Sequence, residues 1–216
     1  MTDPASFRLL ETLRWGAGEG FFLLDRHLSR LAYSAEHFHF LVDAARIREA
    51  LAEQAKTFPA EPCRVRLLVG RAGDVQIDAV PLAVGVPGVS WRVGLATMPV
   101  DSRDEFLQHK TTARGVYERA WGGRTDVDDV ILYNERGEVT ESTRANVVIE
   151  RGGVKVTPPV VCGLLPGTFR EELLARGEIR EAVISVRELR EAPVVFLINS
   201  VREWVAGRWV GSCWVR

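Results

Sequence analysis

The stretch Gln108-His109-Lys110-Thr111-Thr112-Ala113-Arg114 contains a lysine that could be catalytic. Lys110 follows a turn-rich run and precedes a helical pattern that extends to Trp121. The two other lysines, Lys56 and Lys155, are predicted to be solvated, at the end of a polar helix and on a hairpin strand. A lysine becomes a covalent catalyst when burial or neighbouring cations lower its pKa, because the free amine can then form an imine. By its position alone, Lys110 is better explained as a surface charge than as a catalytic residue.

Composition limits the classes of protein to which the chain can belong. Its 216 residues are 46% hydrophobic, which is ample for a buried core, and the formal net charge of -1 gives no reason to expect nucleic acid or an anionic membrane as a partner. The cysteines Cys63, Cys162 and Cys213 are scattered, and the histidines have no metal-type spacing. With no signal peptide and no long apolar run, the sequence predicts a cytoplasmic protein without a structural metal.

The hydrophobic pattern predicts a mixed α+β chain. A hairpin is expected over Phe7–Trp15 and Phe21–Leu24, followed by a helix with Asp25 as N-cap and a stripe at Leu28, Leu31, Ala32, Ala35 and Phe38. Further elements are indicated by apolar periodicity and by proline and glycine breaks. They are a helix over Asp43–Thr57 and strands over Arg64–Val69, Val75–Ala79, Ser90–Ala96, Val130–Tyr133 and Val194–Ile198.

Two parts of the chain differ in their pattern. The first half is rich in strands and is predicted to end near Ser102, which gives an N-terminal α/β subdomain over 1–102. The second half, 103–216, carries Lys110 and alternates short strands with two helices. Ligand sites favour the interfaces of such subdomains.

Three further stretches contain residues suited to binding a charged ligand. Glu138–Val148 follows a strand and a turn and contains Glu141. Cys162–Arg170 is a glycine loop that leads into a helix over Phe169–Arg176, and the positive end of a helix dipole favours anions. Ile198–Trp204 ends an apolar strand with polar residues.

Together with the lysine stretch, these segments resemble, in this order, the class IV aminotransferase family, the fold-type IV enzymes that use pyridoxal phosphate. The resemblance extends from Phe7 to Trp204 and is greatest to the 4-amino-4-deoxychorismate lyases. It implies a fold-type IV architecture of two mixed α/β subdomains with the cofactor site between them. Family members usually begin with another pair of strands, so this chain is expected to begin late.

The resemblance also implies roles for individual residues. Lys110 corresponds to the Schiff-base lysine and Glu141 to the carboxylate that pairs with the pyridine nitrogen. The phosphate is assigned to Arg66, with Arg64 as a substitute, on a strand face expected to turn partly inward. The other residues predicted to bind the cofactor are Thr168, the backbone of Leu164 and Leu165, Ser200, the backbone of Val201, and Arg114 at the ring oxygen. From the pattern alone, Glu141, Arg66 and Arg114 could equally be solvated charges.

The activity implied is elimination of pyruvate from aminodeoxychorismate to give 4-aminobenzoate for folate synthesis. A transaminase acting on branched-chain or D-amino acids would use the same residues, and a non-catalytic binding domain of the same fold is a second alternative. Arg144 stands where a smaller or uncharged residue is expected, as a carboxylate ligand or a strand-end charge. The resemblance further implies a homodimer and a possible aminodeoxychorismate synthase partner.

Overall fold

The computed structural model describes residues 7–82 and 90–210. Contacts group the chain into two compact units. The first comprises Met1–Gly85 with His109–Ala113, and the second comprises Val86–Gln108 with Arg114–Arg216. Lys110 therefore belongs by its contacts to the first unit, whereas the sequence placed it in a C-terminal subdomain that begins at residue 103.

The first unit is a four-stranded antiparallel sheet with two helices. The strands are β1 (Leu9–Gly16), β2 (Gly20–Phe21), β3 (Cys63–Val69) and β4 (Val75–Pro81), in the order β2-β1-β3-β4. The helices are α1 (Leu24–Phe38) and α2 (Ala44–Ala55). The predicted hairpin, both helices and the two later strands are confirmed within one to three residues at most ends.

Side-chain alternation gives this sheet two different faces. Leu9 and Leu13 of β1 and Val65 of β3 are fully buried in an apolar core that also contains Leu28 and Leu31 of α1. The residues that alternate with these along β1 and β3 extend from the opposite face of the sheet.

Two details of the prediction for α1 are wrong. The N-cap is Leu23 in the left-handed conformation, with Asp25 inside the first turn. Ala32 is exposed, because the buried stripe is completed by polar residues of the same helix, which are described below.

The second unit is an eight-stranded sheet. Its strands are β5 (Trp91–Leu95), β6 (Asp129–Tyr133), β7 (Val139–Ser142), β8 (Asn146–Arg151), β9 (Val154–Thr157), β10 (Arg180–Glu181), β11 (Val195–Asn199) and β12 (Glu203–Trp209). They follow the order β10-β9-β8-β11-β12-β5-β6-β7, and an additional β8–β7 pairing closes six of them into a ring. Residues of these strands, including Val93, Ile131 and Val147, form an apolar cluster with Val156 of β9 and with Leu189.

Three helices accompany this sheet: α3 (Gly115–Trp121), α4 (Thr168–Ala175) and α5 (Val186–Glu191). The sequence predicted α3 and α4 and missed α5, which has only six residues. No helix in the part of the chain that the structure describes is both long and apolar enough to cross a membrane.

Candidate active site

Lys110 lies in a segment that is fixed to β1. The backbone N–H of Leu10 donates to the carbonyl of Lys110 (2.9 Å), and Thr112 N–H donates to the carbonyl of Arg8 (2.9 Å). The two contacts flank an antiparallel bridge between Leu9 and Thr111. Lys110 is half-buried, so its backbone is held on a rigid strand while part of its side chain stays accessible.

His109, the neighbour of Lys110, anchors the same segment to α1. Its ring is 4% exposed, its Nδ1 lies 3.0 Å from the hydroxyl of Ser34, and it stacks on the rings of His37 and Tyr33 at centroid distances of 4.3 and 5.3 Å. Lys110 is therefore positioned from both sides, by β1 and by α1. The other two lysines, Lys56 and Lys155, are exposed as predicted.

A buried charged cluster lies in the same unit. Glu11 of β1 is 1% exposed and accepts two hydrogen bonds from Arg30 of α1, from Nε to Oε1 (2.9 Å) and from Nη2 to Oε2 (2.6 Å). His27 Nδ1 lies 2.6 Å from Oε2 of the same carboxylate. Such a paired fork is the geometry in which a buried carboxylate is best stabilised.

The pKa values of Glu11 and His27 are shifted by burial and by the charges of neighbouring residues. Burial raises the pKa of Glu11, but Arg30 and His27 outweigh that effect and lower it from 4.5 to about 2. Burial lowers the pKa of His27; Glu11 opposes this, and the charges of Arg30 and Lys110 lower it further. Glu11 is therefore an anion at neutral pH, and the charge of Lys110 reaches His27.

From the sequence, His27 and Arg30 are at least as well interpreted as exposed basic residues of an amphipathic helix as they are as catalytic residues; their burial excludes the exposed alternative. Arg30 is 8% exposed. One signal in the sequence points to it, because His27, Arg30 and Ser34 follow each other at three- and four-residue spacing along the apolar stripe of α1. As a buried arginine, Arg30 is a second candidate for binding an anionic ligand.

Arg64 and Arg66 lie on the other face of the sheet. Both are exposed, so the expectation that their strand face turns partly inward is wrong for these two residues, although Leu68 on the same face is buried. The phosphate role of Arg66 stays a prediction.

Glu141 is held in the second unit by two donors. Its carboxylate is 4% exposed, and Oε1 accepts from the hydroxyl of Tyr117 (2.8 Å) and from the backbone N–H of Leu165 (3.1 Å). Burial raises the pKa of Tyr117 well above its usual value, and the charge and hydrogen bond of Glu141 raise it further. Tyr117 thus remains a neutral donor to this carboxylate.

The loop that follows Glu141 is fixed by a second buried carboxylate. Asp129 is fully buried and accepts from the hydroxyls of Ser142 (2.8 Å) and Thr143 (2.5 Å) and from Thr143 N–H (3.2 Å). These bonds satisfy the charge and set the backbone direction next to Glu141. The sequence analysis missed both Asp129 and Tyr117.

The glycine loop is packed too closely for larger residues. Gly163 has a φ of +90°, and a Cβ there would lie 2.7 Å from Ser102 Cα; a Cβ on Gly167 would lie 2.0 Å from Asn146 Oδ1. Asn146 Nδ2 donates to the carbonyl of Leu165 (2.8 Å). The loop is therefore held against β8 as it enters α4, whose first residue is Thr168.

Two of the predicted backbone donors have other acceptors in this structure. The amide of Leu165 donates to Glu141, and the amide of Val201 donates to Asn199 Oδ1 (3.0 Å). Neither amide is directed at a phosphate while these bonds persist, because each N–H is a single donor. Leu164 and Ser200 are buried, as is Thr168, and their cofactor roles stay predictions.

Arg114 precedes α3 and faces the Glu141 region. Its Nη2 donates to the carbonyl of Thr143 (2.5 Å), and its guanidinium lies 4.4 Å from the ring centroid of Tyr117. Beside it is a pocket of about 250 Å³. The pocket is lined by Arg114, Tyr117, Glu118, Trp121, Thr143 and Arg144. Arg114 is therefore a structural neighbour of Glu141, and its contact with a cofactor ring oxygen stays a prediction.

Removal of the Tyr117 hydroxyl tests the support of Glu141. We expect Tyr117→Phe to lower the free energy of unfolding by about 1.5–3 kcal/mol, because a hydrogen bond to a buried charge is lost. Tyr133→Phe is the matched control, since the Tyr133 hydroxyl bonds to no other residue within 7–82 and 90–210. Urea denaturation measures both variants, and equal losses would contradict the special role of Tyr117.

The sequence of this chain matches a known protein family and individual relatives. The Amino-transferase class IV family model matches residues 8–208. A Schizosaccharomyces pombe protein named "Putative aminodeoxychorismate lyase" is 32% identical over 200 residues, which cover 86% of this chain and 83% of the relative.

Solved structures share the fold. A Mesorhizobium loti protein described as a "Putative amino-acid aminotransferase" has a TM-score of 0.89 and 39% identity, over 94% of this chain and 100% of that one. The "PLP-bound form" of "A hypothetical aminotransferase" from Mycobacterium tuberculosis has a TM-score of 0.79 and 24% identity, over 94% and 81% of the two chains. The fold is therefore that of fold-type IV aminotransferases.

Proposed function

Because the chain belongs to the class IV aminotransferase family, we propose that it is a pyridoxal-phosphate-dependent 4-amino-4-deoxychorismate lyase. In this reaction the substrate loses pyruvate and becomes 4-aminobenzoate, a step of folate synthesis. The observation that carries the proposal is the buried carboxylate of Glu141, held by Tyr117 and Leu165, in a chain that also fixes Lys110. Homodimerisation and a synthase partner stay predictions of the family resemblance.

The chain contains residues of each type that pyridoxal phosphate requires. Lys110 supplies an amine for the aldehyde, and Glu141 supplies a buried anion for the pyridine N–H. For the phosphate, the candidate sources of positive charge are the amino end of α4 at Thr168 in the second unit, and Arg66 and the buried Arg30 in the first unit. When bound, the cofactor withdraws electron density from the carbon that carries the substrate amine.

Lys110 performs the proton transfers in the proposed reaction. When it is not bonded to the cofactor, the Lys110 amine would remove the proton from C4 of the substrate, the carbon that bears the nitrogen. The electron pair left at C4 expels the enolpyruvyl oxygen from C3, and the ring becomes aromatic. Lys110 then delivers the proton to the methylene carbon of the enolpyruvate, which leaves as pyruvate. Proton and electron pair balance without an acceptor keto acid.

The carboxylate of Glu141 has a separate task. An anion at the pyridine nitrogen keeps that nitrogen protonated, because the charged form of the pair is favoured. Tyr117 and the Leu165 amide orient the carboxylate, and burial keeps water from weakening the contact. Residues that support Glu141 are therefore positioning residues for the reaction.

The direct test is incubation of the purified protein, loaded with pyridoxal phosphate, with enzymatically generated aminodeoxychorismate. We expect pyruvate and 4-aminobenzoate in equal amounts without any keto acid. Amine transfer from an amino-acid panel to keto-acid acceptors, with no pyruvate from aminodeoxychorismate, would instead assign a transaminase, the activity named for the Mesorhizobium loti neighbour. Neither activity in a protein that binds the cofactor would assign a non-catalytic domain.

A further inference from the structure

The pocket beside α3 has a wall of aromatic rings and charged side chains. Its volume is about 250 Å³, and all of its lining residues belong to the second unit. A cavity of about 150 Å³ holds benzene, so this pocket has room for a ligand with one aromatic ring. The wall consists of Arg114, Tyr117, Glu118, Trp121, Thr143 and Arg144.

Each aromatic ring of the wall has a guanidinium against it. The guanidinium of Arg114 lies 4.4 Å from the ring centroid of Tyr117, and that of Arg144 lies 5.2 Å from a ring centroid of Trp121. Tyr117 and Trp121 are four residues apart on α3, so they extend from the same side of the helix, one turn apart. The two positive charges therefore belong to one wall of the pocket.

A second indole fixes the position of Arg144. Its guanidinium also lies 5.6 Å from a ring centroid of Trp91, and its Nη2 donates to the backbone carbonyl of Asp128. Both rings are within the distance at which a cation and an aromatic ring attract each other. A planar group that is already held in place loses less conformational entropy when it binds a ligand. Because the side chain is exposed, a ligand can reach it.

Within residues 7–82 and 90–210, no carboxylate pairs with Arg114 or Arg144. Asp128 offers only its backbone carbonyl to Arg144, because its carboxylate is bound by Arg92 through Nη2–Oδ1 (2.9 Å) and Nε–Oδ2 (3.2 Å). Arg114 also donates to a backbone carbonyl, that of Thr143. A guanidinium has five N–H donors, so both arginines retain donors for a ligand.

Glu118 adds a negative charge to the wall. Its carboxylate forms no side-chain hydrogen bond or ion pair with the residues that the structure describes. With two arginines and one glutamate, the wall has a net charge of +1, which a single negative charge balances. A phosphate monoester carries about −1.5 to −2 at neutral pH, and Glu118 would repel the excess. The charge of the wall therefore favours a carboxylate.

We propose that this pocket binds a small aromatic carboxylate, whose ring packs against the aromatic side chains of the wall and whose carboxylate binds Arg144. A planar carboxylate accepts two parallel hydrogen bonds from a guanidinium. The inference goes beyond the proposed function, because no step of that reaction uses Arg144. Of the two sequence interpretations of Arg144, it selects the carboxylate ligand over the strand-end charge.

The test uses a matched pair of ligands, benzoate and benzamide, which share the ring and differ in charge. Calorimetry measures their binding to the protein loaded with pyridoxal phosphate and freed of the excess, so that the cofactor's own site is filled. We expect the wild type to prefer benzoate by at least about 10-fold. Phenyl phosphate should bind more weakly than benzoate.

Two substitutions of Arg144 test its role. Arg144→Met keeps an apolar side chain against the two indoles, and it should lower the affinity for benzoate by at least about 10-fold while that for benzamide stays within about twofold. Arg144→Lys keeps the positive charge without the planar fork, so its affinity for benzoate should be intermediate.

The matched protein control is Arg71→Met. Arg71 is also exposed, its guanidinium lies 4.6 Å from the ring centroid of Phe40, and its Nη1 donates to the backbone carbonyl of Phe38 (2.7 Å). It therefore has the same kinds of contact as Arg144, but it belongs to the first unit and does not line the pocket. We expect it to bind both ligands as the wild type does.

Equal affinities of the wild type for benzoate and benzamide would overturn the inference, as would an unchanged affinity for benzoate in Arg144→Met. Tighter binding of phenyl phosphate than of benzoate would overturn the carboxylate as the ligand class. The lyase assay is independent of these results. Release of pyruvate by a protein with no preference for benzoate would retain the proposed function and reject the pocket, and a benzoate site that depends on Arg144 in a protein that forms no pyruvate would do the reverse.

Discussion

Lys110→Ala is expected to abolish formation of pyruvate and 4-aminobenzoate, with a loss of at least about 10³-fold, since both the covalent link and the proton transfers depend on one amine. The visible absorption band of pyridoxal phosphate joined to a lysine should also disappear. Backbone contacts of Lys110 with Leu10 do not involve the side chain, so the fold should be retained. Absorption spectra and product assays on the same preparation measure both effects.

Lys56→Ala is the matched control for this variant, because Lys56 is exposed and pairs with the exposed Glu53. It should retain the band and the activity. Borohydride reduction of the loaded wild type gives an independent readout, because it makes the link permanent. With only three lysines in the chain, peptide mapping identifies the modified one, and modification of Lys56 or Lys155 instead of Lys110 would refute the assignment.

Arg30→Met is expected to lower the free energy of unfolding by about 3–5 kcal/mol, because it leaves the carboxylate of Glu11 buried without its main partner. The side chains of Glu11 and Arg30 are 1% and 6% exposed, so water cannot replace the lost bonds. Arg48→Met is the control, since Arg48 forms an exposed pair with Asp25 and exposed pairs contribute about 0–1 kcal/mol. Urea denaturation measures both variants.

The double variant Glu11→Leu with Arg30→Met separates the charge from the packing. Removing both members of a buried pair is often nearly neutral, so this variant should be more stable than Arg30→Met alone. If the two were equally unstable, the loss would come from packing and the interpretation of the charged pair would be wrong.

The pH dependence of stability follows from the same pair. The pKa of Glu11 is about 2 in the folded state, against 4.5 as its ordinary value, so the unfolded chain binds a proton first on acidification. The stabilisation is complete above pH 4.5 and is lost as the pH falls towards 2. By linkage, the difference corresponds to about 3 kcal/mol. The acid side of the stability profile should therefore be less steep in the double variant than in the wild type.

Hydrophobic periodicity was sufficient to predict a helix or strand whose formation depends on its own residues. The strand Arg64–Val69 was predicted from alternation, and Asp43 caps α2 through bonds to the amides of Ala45 and Arg46, a local interaction. Helix α5 is too short to be predicted from periodicity. Its Ser185 accepts from the amide of Glu188, a capping signal visible in the sequence, but six residues are too few for a clear hydrophobic period.

Burial of charge could not be predicted because it depends on partners far away in the sequence. Arg30 looked like a surface residue until Glu11, 19 positions away, was placed against it. The Leu165 amide was predicted to bind a phosphate, but it donates to Glu141. Glu141 is 24 positions away in the sequence, and only the fold brings it to this amide. The family and the fold were predictable from the sequence, whereas the internal hydrogen bonds around the candidate site residues were not.

The pairing of Lys110 with β1 also has a consequence for the order of folding. Arg8 and Thr112 are 104 positions apart, and β2 pairs only with the last two residues of β1. During synthesis, the first residues of β1 cannot form their bonds with Lys110–Thr112 until residue 112 has emerged. Open strand edges invite pairing with other chains, so a fragment that stops before His109 should be prone to association. Reaction of Lys110 with an aldehyde would then indicate that the Lys110 segment has paired with β1.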